Sequence, residues 1–137
     1  MRIGELAALT GVSRRALRYY EEQELLVPLR LDNGYRVYAD DAPTVVRHIV
    51  ALLRMGFNSD MARSLLPCAL GDRPEFEMCE HSRRSFEQRR DELEVQLRHL
   101  TRQRDAVAGH LDQLAMCQSS SGASGGSGVS RGSRAAR

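Results

Sequence analysis

Lysine and tryptophan are absent from this sequence, and three Phe with four Tyr supply all of its aromatic volume. Twenty basic residues that are all arginine are as readily explained by a GC-rich coding sequence as by a need for guanidinium. Scarce aromatics favour small helices over a β-sandwich. No run approaches the roughly 18 apolar residues of a membrane span, and the opening Met1-Arg2-Ile3-Gly4-Glu5 lacks the apolar stretch of a signal peptide. A cytoplasmic protein with no membrane partner is expected. Three cysteines in a reducing compartment do not make a disulfide framework, so Cys68, Cys79 and Cys117 need another role. Neither an acid–base carboxylate pair, a nucleophile triad nor a phosphate loop is present, which argues against an enzyme. The 137 residues suffice for one domain and an extension, and exclude a large multidomain enzyme.

Charge is distributed without a basic block. Residues 1–60 hold eight Arg against eight acids, residues 61–117 nine against ten, and residues 118–137 three against none, giving the net +2. Any nucleic-acid site must therefore come from local clustering.

Local signals divide the chain into a head (1–70), a linker with a long helix (71–117) and a Ser/Gly-rich tail (118–137). The tail's composition cannot bury enough apolar surface to offset chain entropy, which predicts disorder. Ile3, Leu6, Ala7 and Leu9 outline a first helix. Gly11-Val12-Ser13 forms a tight turn ending in a good N-cap, and a second helix runs from Arg14 to about Glu22. Two short strand-like runs flank Asp32-Asn33-Gly34, where Asn-Gly predicts a type I′ hairpin turn. Asp41 as N-cap and Pro43 open a third helix that Gly56 stops. Asn58 caps a fourth, which Pro67 ends. Residues 69–75, with Gly71 and Pro74, read as a linker.

From about Met78 to Met116 there is no proline, and Phe86, Leu93, Leu100, Val107 and Leu114 recur every seven residues, with Leu97 and Leu111 four after two of them. This is one seam of a coiled coil, its second seam half occupied by Arg90 and Arg104. A helix of roughly 39 residues spans about 58 Å, too long to pack wholly on a 70-residue head, so it calls for a partner helix. Folding back on its own head is the alternative. The fold expected is mainly α: a winged helix-turn-helix head followed by a long dimerisation helix in an antiparallel coiled coil.

The segment Ile3 to Glu21 reads as helix-turn-helix. In such a unit the N-terminal part of the second helix enters the major groove, and Ser13, Arg14, Arg15 and Arg18 sit there. Three guanidinium groups near a helix N-terminus oppose the macrodipole. Phosphates or guanine edges would favour them; pairing with Glu21, Glu22 and Glu24 is the structural alternative. Beside that helix the hairpin supplies Tyr35, Arg36 and Tyr38, a wing able to donate to phosphates.

With these pieces in order, the run IGELAALTGVSRRALRYYEEQELLVPLRLDNGYRVYADDAPTVVRHIVALLRMGF resembles the N-terminal domain of MerR-family transcriptional regulators. Its most specific parts are LRYYEE (17–22), GYRVY (34–38) and LLRMGF (52–57). The resemblance covers residues 1–66 closely, and the long helix fits the family's antiparallel dimerisation helix. It implies a homodimer on double-stranded promoter DNA, with RNA polymerase at the same promoter, acting by bending and untwisting a long spacer. Carried over by motif, Arg15 and Arg18 would contact bases or nearby phosphates, Tyr19, Tyr20 and Arg36 the backbone, Tyr35 the wing contact, and Arg54 a second-wing phosphate. The dimer contacts would be Phe86, Leu93, Leu97, Leu100, Val107, Leu111 and Leu114.

The cysteines match the family only in part. There is no four-cysteine iron–sulfur cluster. The metal-sensing branch places one Cys at the start of the dimerisation helix, which Cys79 matches, and others in a following loop, near Cys117 but with no second cysteine there. Cys79-Glu80-His81 with Cys68 eleven residues upstream could form a soft-ligand set for a thiophilic metal ion or a thiol switch; a small buried hydrophobe is the plainer reading of a seam cysteine. Cys79 is the most signal-relevant of the three, its thiolate favoured by the helix N-terminus and by Arg83 and Arg84. Cys68 is the nearer resolving thiol or co-ligand. His48, His99 and His110 are expected on surfaces or helix faces. The function expected is a homodimeric promoter regulator responding through Cys79, with a ligand-independent architectural regulator and a partner-binding coiled-coil protein as alternatives.

Overall fold

The computed structural model describes residues 1–123; the remainder of the expected tail, with Arg131, Arg134 and Arg137, lies outside the described residues. Among the described residues no helix is long and apolar enough to cross a membrane. Two compact units are present, Met1–Glu92 and a second that begins at Leu93.

The first unit opens with α1 (Ile3–Thr10) and α2 (Arg14–Glu22). Gly11 ends α1 at φ +73, a left-handed conformation that favours glycine. The Ser13 Oγ accepts the Ala16 N–H at 3.1 Å, so α2 starts on the expected side-chain cap. Two two-residue strands, β1 (Leu29–Arg30) and β2 (Arg36–Val37), pair antiparallel with Leu29 opposite Val37 and Arg30 opposite Arg36.

The turn between them is not the type I′ turn expected from Asn33-Gly34. The Leu31 N–H donates to Tyr35 O and the Gly34 N–H to Leu31 O, closing a three-residue loop. Only Gly34 takes a positive φ there, +82. Asn33 remains in the ordinary region and uses its Oδ1 to accept the Tyr35 N–H at 3.1 Å, so its side chain bridges the turn that its backbone was expected to form.

Helix α3 (Ala42–Arg54) follows Asp41, which holds the N-cap position without a side-chain bond. Asn58 caps α4 (Ser59–Leu65) by accepting the Met61 N–H at 2.8 Å. Pro67 then sits in a 3-10 turn, Leu66–Cys68. The expected linker contains a second hairpin, β3 (Ala69–Leu70) with β4 (Glu75–Phe76). It leads into α5, Glu80–Ala123, which continues past the expected end at Met116.

The core gathers Leu6, Leu17, Val46, Ile49, Leu52 and Leu65, all fully buried. Each contributes about 1.5–3 kcal/mol on leaving water. His48 is buried rather than at a surface: its Nε2 lies 2.9 Å from the Arg73 carbonyl and its ring meets the Phe76 ring edge-on. Phe86, expected on the dimer seam, is also drawn into the head, with Phe57 and Phe76 ring centroids 5.2 and 5.8 Å away. Arg89 fixes the same stretch of α5, donating from Nε to the Met55 carbonyl at 2.8 Å. Its guanidinium lies so close over Gly56 that a Cβ there would fall 2.2 Å from Nη2. That carbonyl belongs to the C-cap residue of α3, where helix carbonyls lack internal partners.

In the second unit the helix presents Leu97, Leu100, Val107, Leu111 and Leu114, each more than half exposed, and Leu93 at 38%.

Candidate nucleic-acid interface and thiol cluster

Arg14, Arg15 and Arg18 occupy the first turns of α2 and are exposed, while Leu17 between them is fully buried and holds the helix to the core. The guanidinium of Arg14 lies against α1, leaving a Cβ at Gly4 only 2.8 Å from Nη2. Two shallow concavities run between α2 and the wing, and Arg18 and Arg36 line both. Arg2 and Tyr35 border one of them, Arg30 the other. The Arg2 guanidinium sits 5.6 Å from the centroid of the Tyr35 ring, which is 60% exposed. Arg30 and Arg36 face each other across the ladder, an arrangement that repels unless an anion lies nearby.

Glu21 organises the inner edge of this face. Its side chain is 9% exposed and its Oε2 accepts Arg36 Nη1 at 3.0 Å, while its Oε1 accepts the hydroxyl of Tyr38. Burial, then the bond to Glu21, pushes the Tyr38 phenol well above its ordinary value. The Tyr38 N–H donates to Met1 O at 2.7 Å, so the wing is sewn to the start of α1 as well as to α2. Tyr19 stays exposed with its hydroxyl 3.1 Å from Ser59 Oγ. Tyr20 departs from the expected backbone contact: it is 8% exposed and packs in the core, where burial raises its phenol. Arg54 is exposed in the last turn of α3.

A second cluster lies at the start of α5. The Arg83 N–H donates to the Cys79 carbonyl at 2.9 Å, placing Cys79 at the N-cap. Its sulfur is 3.5 Å from both the backbone N and the Oγ of Ser82. Hydrogen bonding with the Ser82 side chain, then from its backbone N–H, lowers the Cys79 thiol to about 7. Cys68 Sγ stands 3.8 Å from Cys79 Sγ, and burial first, then the neighbouring thiol, pushes its own value up. Arg83 and Arg84 are not the source of the Cys79 shift, because both pair with Glu80, at 3.6 and 3.0 Å. His81 turns away to Ser64 Oγ at 3.1 Å. Among the described residues no three His, Cys, Asp or Glu side chains converge to hold a metal ion, so the expected soft-ligand set reduces to two thiols. Cys117 is exposed on the second unit.

Residues 2–38 match the profile of the MerR family regulatory protein. The helix-turn-helix and wing just described occupy that span. Over that span the chain is similar to MerR-family regulators. It is similar to the HTH-type transcriptional regulator ZntR of Escherichia coli strain K12, 29% identical over 124 residues that make up 85% of this chain and 86% of that protein. The solved N-terminus of MtaN, the Bacillus subtilis multidrug transporter activator, superposes with a TM-score of 0.62 at 24% identity, covering 81% of this chain and 97% of that one. HiNmlR, a MerR family regulator lacking the sensor domain and solved bound to promoter DNA, gives 0.52 at 19%, covering 86% and 92%. These two likenesses show the fold.

The sequence pattern passed over four side chains that the structure puts to use. Arg2 and Arg30 join the concave face between α2 and the wing. The position of Arg30 two residues from the turn, matched by Arg36 across it, was a readable signal. Arg63 donates to the Gln23 carbonyl at 3.2 Å and pairs with Asp60 at 2.9 Å, and Arg89 holds Met55; neither had a local pattern to announce it.

Proposed function

We propose that this chain is a MerR-type regulator that binds double-stranded promoter DNA as a homodimer. The observation that carries the reading is the exposed Arg14, Arg15 and Arg18 at the N-terminal end of α2, with Arg18 lining the same concavity as Tyr35 and Arg36 of the wing. The first turns of α2 enter the major groove, where Arg18 reads a base edge or adjacent phosphate and Arg15 supports it. Ser13, Tyr19, Tyr35, Arg36 and Arg54 donate to the backbone and fix register. Each protomer's exposed seam from Leu93 to Leu114 is covered by the same seam of a second copy running antiparallel, a self-complementary two-fold interface. Two heads held at a set separation then contact two half-sites. A change at the start of α5 alters the angle between them and so the twist of the spacer read by RNA polymerase.

Footprinting on DNA upstream of the chain's own coding region, with and without reductant, tests this. Two protected half-sites with enhanced cleavage in the spacer are expected. A protein that is dimeric and folded yet protects no site at micromolar concentration would refute it.

A further inference from the structure

We propose that Cys68 and Cys79 form an intrachain dithiol that reacts with hydroperoxides, Cys79 attacking and Cys68 resolving, and that closing this disulfide resets the first turn of α5. The chemistry stands on the geometry of the pair; its consequence for transcription rests on the regulator reading above.

The two sulfurs come from different elements. Cys68 ends the 3-10 turn after α4 and Cys79 caps α5. The β3–β4 hairpin turns the chain back between them, and the Glu77 N–H donates to the Cys68 carbonyl at 2.6 Å. Backbone pairing therefore delivers the thiols to van der Waals contact at 3.8 Å, from which side-chain rotation and a small shift of one turn bring them to bonding distance.

The two members are unequal in the way such a reaction needs. Cys79 is exposed, at a helix N-terminus that favours a thiolate, and it has the Ser82 N–H beside it. Cys68 is half-buried, next to Glu77, and stays a thiol more readily.

In the first step the Cys79 thiolate attacks one peroxide oxygen. The O–O bond breaks, the departing oxygen takes a proton to become water or an alcohol, and Cys79 becomes a sulfenic acid. In the second, Cys68 gives up its proton and its sulfur attacks the Cys79 sulfur. The S–O bond breaks and hydroxide leaves as water. The two thiols lose two electrons and two protons in all, and one peroxide is reduced. The Cys79 sulfur is then drawn toward Cys68 and away from the Ser82 N–H that it caps. Ser82 Oγ is held at the Glu77 carbonyl, 2.6 Å away, the Ser82 N–H is left without its sulfur acceptor, and the first turn of α5 loosens.

The test uses the full chain, reduced, freed of metal by chelation and treated anaerobically with hydrogen peroxide. Expected are a mass loss of two hydrogens, a fall from three free thiols to one, and a linked peptide pair containing Cys68 and Cys79. Cys117→Ser should behave as wild type. Cys68→Ser should stop at a dimedone-trappable sulfenic acid on Cys79, and Cys79→Ser should consume peroxide at least tenfold more slowly. A dominant crosslink through Cys117, over-oxidation of Cys79 with Cys68 still free, or equal rates in wild type and Cys79→Ser would overturn the dithiol. The same samples are footprinted. Reduced protein that ignores DNA refutes the regulator reading and leaves the thiol result standing, whereas a closed disulfide with an unchanged footprint overturns the switch alone.

Discussion

Replacing Leu100 by Ala should weaken the dimer without unfolding the protomer, and the size of the effect can be worked from its exposure. Leu100 is 59% exposed on the helix of the second unit. Full burial of a leucine contributes about 1.5–3 kcal/mol, so covering the open three-fifths contributes about 1–2 kcal/mol. A two-fold interface contains the residue twice, and the variant therefore loses about 2–4 kcal/mol per dimer, a roughly 30- to 800-fold rise in the dimer dissociation constant. Sedimentation equilibrium over a wide concentration range reads this directly. Arg102→Ala, on the same helix but off the seam, is the control and should shift the constant by no more than about threefold. Because Leu100 lies outside the Met1–Glu92 unit, thermal unfolding of that unit should be unaltered at concentrations where both proteins are monomeric. A Leu100→Ala protein with the wild-type dissociation constant would refute the antiparallel seam.

Arg18→Ala should reduce discrimination between the specific site and a scrambled one by about 1–3 kcal/mol, and equal losses on both sequences in a binding titration would remove Arg18 from base readout. Iodoacetamide labelling of Cys79 should rise through about pH 7, whereas Cys68, pushed up mainly by burial, should label only at more alkaline pH; parallel profiles would contradict the inequality of the pair. The sign for stability follows: Cys79 is an acid whose folded value is depressed, so its contribution is present above the unfolded thiol range and is lost as pH falls through about 7. Gly56→Ala should destabilise the head by more than about 1 kcal/mol, since φ is +85 there and the new methyl meets the Arg89 guanidinium; an unchanged denaturant midpoint would show that Arg89 moves aside at no cost.

What the sequence revealed followed from period and punctuation. Ser13 and Asn58 declared themselves as caps by residue type and position, and the buried face of α3 by the spacing of Val46, Ile49 and Leu52. The β3–β4 hairpin escaped because strands of two residues carry no alternation, and Gly71 with Pro74 reads equally as a linker. That omission propagated: without Phe76 in place, neither the burial of His48 nor the capture of Phe86 could be foreseen, and Phe86 was assigned by its period of seven to the dimer seam. Tyr20 shows the limit of carrying a motif over, since its neighbour Tyr19 is the one that faces outward. The proximity of Cys68 to Cys79 depended on the same unrecognised hairpin.

The bond from Glu21 to Arg36 changes what a salt titration would count. An exposed arginine approaching DNA brings no partner of its own, and the phosphate it meets sheds a condensed counterion into solution. Arg36 arrives already neutralised by a carboxylate of its own chain. When a phosphate takes over that guanidinium, one anionic partner replaces another, and the liberated Glu21 must be satisfied by Tyr38 and water in a largely buried position. Among the described residues the ion pairs do not include Arg14, Arg15 or Arg18. The ionic-strength dependence of binding therefore registers chiefly the recognition helix, and Glu21→Gln should steepen it while leaving the number of protein–DNA contacts the same.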